Sequence, residues 1–339
     1  MLNKAYINLN ILRQNVKNIK AKLDKGVKFC AVVKADGYGH GASEIANAIY
    51  TECDYFAVAI VQEGIRLRQS GIDKDILVLS PAMPCDLIEA VFYGLTLSVD
   101  SIYQVIKIEK ECKKQKRRVK IHIKYNAGMN RLGVDSLDEL EVLAKKITDS
   151  KYLVLDGLFS HLPCPENKKS TKSIQNKFLL ANNLIKGYNN KAICHLSASG
   201  GFLAKIPSDM VRIGILMYGY KPFASNLVSV KPIMKIYAPL VKERALKKGD
   251  NCLYGNLALS QDKILYLVRF GYADGLPRQK TKGQFNNRCM DISALERAEV
   301  TKRGVLILDN ADKLAKKYNT ISYEILTKCS LRSQKIYLH

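Results

Sequence analysis

The stretch Lys28-Phe29-Cys30-Ala31-Val32-Val33-Lys34-Ala35-Asp36-Gly37-Tyr38-Gly39-His40-Gly41 decides how the rest of the chain is read. Phe29–Val33 is a continuous apolar run of strand length, the pattern of a strand buried on both faces. It stops on Lys34. An ammonium at the end of such a strand is uncommon, because burial disfavours the charged form and lowers its pKa. That same shift suits a lysine to Schiff-base chemistry. Gly37, Gly39 and Gly41 then supply a turn around Tyr38 and His40. Free amides at a strand-to-helix junction suit a phosphate. A Schiff-base lysine beside a phosphate cradle points to pyridoxal phosphate. The alternative is a lysine that reaches water above a glycine loop.

Outward from this stretch, strand-like runs recur at intervals of roughly twenty residues. They are Phe29–Val33, Tyr55–Ile60, Ile76–Leu79, Leu95–Val99, Val119–Ile123, Leu153–Phe159, Ala192–Leu196 and Met210–Ile213. Helix patterns lie between most of them, for example Ser101–Lys114 and Leu137–Ile147. An amphipathic helix is predicted over residues 9–24, from Leu9, Leu12, Val16, Ile19 and Leu23. Gly71 and Gly94 mark helix ends. Eight βα units predict an α/β fold, a (β/α)8 barrel of the TIM type, over residues 1–222. A doubly wound open sheet is the alternative, since periodicity does not show closure. Beyond Lys221 the alternation stops, and Pro222, Pro232 and Pro239 punctuate the chain. Ile264–Phe270, Val305–Leu308 and Thr320–Ile325 read as strands, so residues 223–339 are expected to form a mainly β C-terminal domain.

Functional groups of such a barrel gather at the C-terminal ends of its strands. Those ends carry Lys34, Lys124 with Arg131 seven residues on, His161, His195 with Ser199-Gly200-Gly201, and Arg212 with Gly214. Taken singly, His161 reads equally as a core histidine, Arg212 as an ion-pair partner and Ser199 as part of a turn. A serine hydroxyl with backbone amides also makes a phosphate site.

Composition narrows the class. The 339 residues are 47% hydrophobic and 25% charged, ordinary for a globular chain. No apolar run approaches the ~20 residues that span a bilayer, and the N-terminus lacks the apolar core of a signal peptide. Nine scattered cysteines with no Cys-x-x-Cys pair suit a reducing cytoplasm and predict neither disulfide framework nor metal site. The net charge of +23 raises nucleic-acid binding. The one dense basic run, Lys113–Arg118, lacks interleaved aromatics, so a solvated helix end is the reading taken and no nucleic-acid partner is expected.

The octet Lys34–Gly41 resembles the pyridoxal-phosphate attachment signature of alanine racemases, and the resemblance extends from Lys34 to Glu324. It implies that Lys34 carries the cofactor and that Tyr254, in Leu253-Tyr254-Gly255, is a second catalytic base. It implies that Arg131 contacts cofactor and substrate carboxylate, held by Lys124, a lysine often carbamylated in the family. The family's Asp-Thr pair is replaced by Asn126-Ala127. His161 matches the partner of the catalytic tyrosine. Ser199, Gly214, Ile215, Tyr38 and Tyr323 match phosphate and cofactor contacts, although Ala198 replaces the usual asparagine. Arg212 matches the arginine that faces the pyridine nitrogen. Tyr272, in Gly271–Gly275, matches the substrate-access motif. Met290, beside Asp291, matches the amide that holds the substrate carboxylate, after a loop that looks shortened. The resemblance implies a cytoplasmic homodimer with composite active sites, Tyr254, Tyr272 and Met290 coming from the partner chain. It also implies racemisation of L- and D-alanine for cell-wall peptidoglycan, or a broader amino-acid racemase acting on serine or lysine with the same residues.

Overall fold

Eight short apolar runs form the parallel sheet that the pattern predicts. The computed structural model describes residues 2–251, 254, 258–278, 288–296 and 298–339. The strands of this sheet are β2 (Lys28–Val32), β3 (Tyr55–Val58), β4 (Asp75–Val78), β5 (Thr96–Val99), β6 (Val119–Lys124), β7 (Leu153–Phe159), β8 (Ile193–His195) and β9 (Met210–Ile213). They follow the order β8-β7-β6-β5-β4-β3-β2-β9. Between β8 and β9 lie the parallel bridge Ala198↔Arg212 and the amide bonds Asp209 N to Cys194 O and Arg212 N to Ser197 O, both 3.0 Å. The sheet therefore nearly closes into a barrel, and the open-sheet alternative falls.

The helices follow amphipathic logic. Ile102–Gln115 turns Val105, Ile108 and Cys112 inward. Ser101 caps its first turn and Lys116, at φ 54°, ends it. The predicted helix over 9–24 is shorter, Leu9–Lys20. β2 ends on Val32 rather than on Lys34. Lys34 opens a left-handed turn in which Ala35, Asp36, Gly37 and Tyr38 have φ of 50, 52, 62 and 52°. Each non-glycine residue there costs roughly 1–2 kcal/mol.

The chain divides into two discontinuous units. The barrel unit is Arg13–Gly37 with Ala42–Val230; the second takes the chain up to Leu12, Tyr38–Gly41 and everything from Lys231. The expected division near residue 222 thus omits two pieces. One is β1 (Lys4–Asn8), whose alternating burial fits a sheet covered on one face. In the second unit β1 pairs antiparallel with β10 (Met234–Ala238) and parallel with β16 (Gln334–Leu338). A five-stranded sheet results, completed by β14 (Val300–Thr301) and β15 (Gly304–Leu308). A separate antiparallel sheet joins β11 (Leu240–Leu246), β12 (Lys263–Val268) and β13 (Ser293–Leu295).

Thr320–Ile325, predicted as a strand, is instead the start of the helix Ser322–Cys329. Its buried residues Ser322, Ile325, Leu326 and Cys329 recur at helical spacing. Gly39, at φ +82°, lies against this helix, where any Cβ would collide with Ser330 Oγ and Leu326 O. Among the described residues no helix is long and apolar enough to cross a membrane.

Candidate active site

Within the barrel unit, four cations surround one histidine. Lys34 follows β2, Lys124 ends β6, Arg131 lies in the loop after it and Arg212 is in β9. Burial pushes the Lys34 ammonium below its usual pKa, and Arg131 and Arg212 add to the effect while Glu63 opposes it. Lys124 falls to about 8, first by burial and then through Arg131 and Arg212. His161 falls to about 3, again by burial first and then through Arg212, Arg131, Lys34 and Lys124. The histidine is neutral near pH 7. Such an excess of positive charge suits a ligand bearing a phosphate and a carboxylate.

The loop after β6 is shaped by Asn126. Its side-chain oxygen accepts the amides of Gly128 (3.2 Å) and Asn130 (2.9 Å). Its nitrogen donates to Asp135 at 2.7 Å. Lys124 Nζ donates to Leu79 O at 3.3 Å and sits 5.1 Å from the centre of the Phe159 ring.

Arg212 is held from several sides. Its guanidinium donates to His195 O (2.8 Å), Ser160 O (2.7 Å) and His195 Nδ1 (2.6 Å). Burial lowers its pKa only to about 10, so it stays cationic. An arginine only donates, so His195 carries its proton on Nε2 and that N–H donates a hydrogen bond to His122 Nδ1 at 2.8 Å. His122 Nε2 then donates to Asp156 at 3.0 Å, and Tyr55 donates to the same carboxylate at 2.6 Å. Burial alone would raise the Asp156 carboxyl, but His122, Tyr55 and Lys120 outweigh it and hold it low. His122, Asp156 and Tyr55 were absent from the sequence expectation. The available signal was Lys120, His122 and Lys124 at alternate positions of a buried strand, which puts all three on one face.

Ser199 starts the short helix Ser199–Leu203, and its hydroxyl accepts the Gly214 amide at 3.1 Å. Both are buried, as is Ile215. This pair is a serine and amide cradle of the type a phosphate uses. The turn after Lys34 differs from the expected one: the Ala35, Gly37 and Ala42 amides are taken by Glu63, Val33 O and Asp36.

In the second unit, the Tyr38 and Tyr323 rings lie 5.7 Å apart. Burial, with Asp312, raises the Tyr323 hydroxyl to about 12. Tyr272 N and Ala273 N donate to Cys289 O and Met290 O, at 3.1 and 2.9 Å, which joins the Tyr272 segment to Met290. Asp291 is paired with Arg332 at 2.9 Å. Gly271 is required there, since a Cβ would strike the Met290 carbonyl. Tyr254, Tyr272 and Met290 are all exposed. Leu253, Gly255 and the loop before Arg288 lie outside the described residues.

A (β/α)8 barrel with a lysine of lowered pKa among cations, joined in sequence to a mainly β unit, is the class of a barrel enzyme that acts on small anionic substrates. The chain belongs to the alanine racemase family. Residues 7–222 match the model of the alanine racemase N-terminal domain and residues 233–337 that of its C-terminal domain. Alanine racemase of Streptococcus pyogenes is 31% identical over 362 residues, covering 98% of this chain and 97% of that protein. Alanine racemase of Clostridium difficile superposes with a TM-score of 0.90 at 30% identity, over 100% of this chain and 96% of that one. Alanine racemase of Bacillus anthracis with bound L-Ala-P gives 0.89 at 26%, over 99% and 95%. The chain is an enzyme of amino-acid isomerisation.

Proposed function

We propose that the chain interconverts L- and D-alanine with pyridoxal 5'-phosphate held on Lys34, supplying D-alanine for peptidoglycan in the cytoplasm, as a homodimer. The observation that carries the reading is the cluster of Lys34, Lys124, Arg131 and Arg212 around neutral His161. That the Bacillus anthracis relative binds L-Ala-P supports the reading. The residues fit the cofactor: an amine of lowered pKa, a serine and amide cradle, and a fixed arginine.

When bound, the cofactor supplies an electron sink for the pair left as the α-proton departs. Ser199 with the Gly214 and Ile215 amides holds the phosphate, with Tyr38 and Tyr323 as further donors. Arg212, fixed by carbonyls and by His195, faces the pyridine nitrogen without giving up a proton. Arg131 and the Met290 amide bind the substrate carboxylate, and Lys124 holds Arg131 as the anionic carbamate that the resemblance implies. Lys34 moves a proton on one face of the α-carbon and Tyr254 on the other. One base alone only returns the proton it removes, so inversion needs both. His161 supports Tyr254, and Tyr272 with Asp291 lines the approach.

Borohydride treatment of the purified holoprotein, followed by peptide mass measurement, tests the attachment. The expected product is pyridoxyl-modified Lys34, absent from Lys34→Ala. A modification at another lysine, or an unmodified protein that racemises alanine, sinks the reading.

A further inference from the structure

Glu63 stands at the third position of the helix Val61–Gln69 and uses its two oxygens differently. Oε2 accepts the Ala59 amide at 2.7 Å, a bond back to the residue before the helix cap. Oε1 crosses to the neighbouring strand end and accepts the Ala35 amide at 2.6 Å. That amide belongs to the peptide bond joining Lys34 to Ala35, where the backbone enters its left-handed turn. The bond therefore fixes one of the two peptides that flank the Lys34 Cα and set the direction of its side chain. Glu63 also opposes the cations that press on the lysine.

We propose that Glu63 is a positioning residue for Lys34: its carboxylate clamps the peptide after the lysine and sets one negative charge against the surrounding cations. The groups that face Lys34 are Arg131 from the loop after β6, Arg212 from β9, Lys124 from β6, His161 from the end of β7, and Glu63 itself. Glu63 is the acidic member of this set. Without its charge the ammonium is less favoured, so the amine is released at lower pH. The proposal rests on Lys34 being the functional amine.

The test uses the full-length chain freed of cofactor. Acetylation of Lys34 by trace acetic anhydride is followed against pH by peptide mass measurement. Glu63→Gln is expected to shift the Lys34 profile to lower pH, whereas Glu63→Asp keeps the charge and the wild-type profile. In Glu63→Asp, one methylene shorter, the Ala35 amide is expected to exchange with deuterium at least tenfold faster than in the wild type, on the order of one lost charge-assisted hydrogen bond. A Glu63→Gln profile that overlays the wild type overturns the electrostatic part. Ala35 protection unchanged in Glu63→Asp overturns the clamp, and it decides the matter even where Glu63→Gln does not fold. Failure of the cofactor reading shows separately, as wild-type holoprotein without borohydride-fixed cofactor on Lys34.

Discussion

His161 is the residue whose environment makes the sharpest claim. Its folded pKa of about 3 lies below the ordinary 6.5, through burial and then Arg212. The unfolded chain therefore binds more protons than the folded one between those values. His161 thus subtracts stability as pH falls from 6.5 toward 3 and contributes no pH dependence above that window. His161→Gln is expected to lose less stability than the wild type between pH 7 and pH 5, read as a smaller drop in urea midpoint. Parallel drops in the two proteins would show that the histidine is protonated in the fold. Lys34, Lys124 and His161 stand out in the sequence because each closes or closely follows an apolar run, whereas Arg131 lies in a polar loop and Arg212 inside β9, and the family resemblance is what singles those two out. Glu63 was not legible, since an acid in the first turn of a helix reads as a partner of the helix dipole.

At the scale of elements, β6 and β7 carry the support of the site. Asp156 terminates a directed chain from Arg212 through His195 and His122, and its carboxylate fixes both histidine tautomers. Asp156→Ala leaves the His122 Nε2–H and the Tyr55 hydroxyl without their acceptor. The expected cost is about 2–4 kcal/mol, measured by urea unfolding. Asp156→Asn, which keeps an acceptor oxygen, is expected to cost clearly less. Equal losses would mean that the charge alone matters, and a cost below 1 kcal/mol for the alanine variant would mean that water replaces the carboxylate. The barrel strands were legible because each holds a short apolar stretch that recurs at a regular interval between helix patterns, even where polar residues such as His122 and Asp156 interrupt it. The helix Ser322–Cys329 was misread as a strand because Ile321, Tyr323 and Ile325 also alternate; its burial at 322, 325, 326 and 329 follows the other period. The turn after Lys34 was read as a free anion cradle because its amides find side-chain partners at Glu63 and Asp36, contacts that local sequence does not disclose.

At the scale of the whole molecule, the proposed dimer draws its second base from the partner chain. Lys34 belongs to the barrel unit and Tyr254 to the other, where its side chain is 66% exposed. The family resemblance assigns this tyrosine to a partner chain's barrel. Lys34→Ala and Tyr254→Phe are each expected to be inactive as homodimers. After subunit exchange about half the dimers are hybrids, and in each hybrid one site draws both bases from intact chains while the other lacks both. Activity should therefore return to roughly a quarter of the wild-type value per site, as twofold symmetry with shared sites requires. If both bases came from one chain, every hybrid site would lack one of them and no activity would return. Exchange is verified independently by mass-tagging one variant and counting mixed dimers. Full mixing without recovery would place Tyr254 and Lys34 of a single chain at the same site.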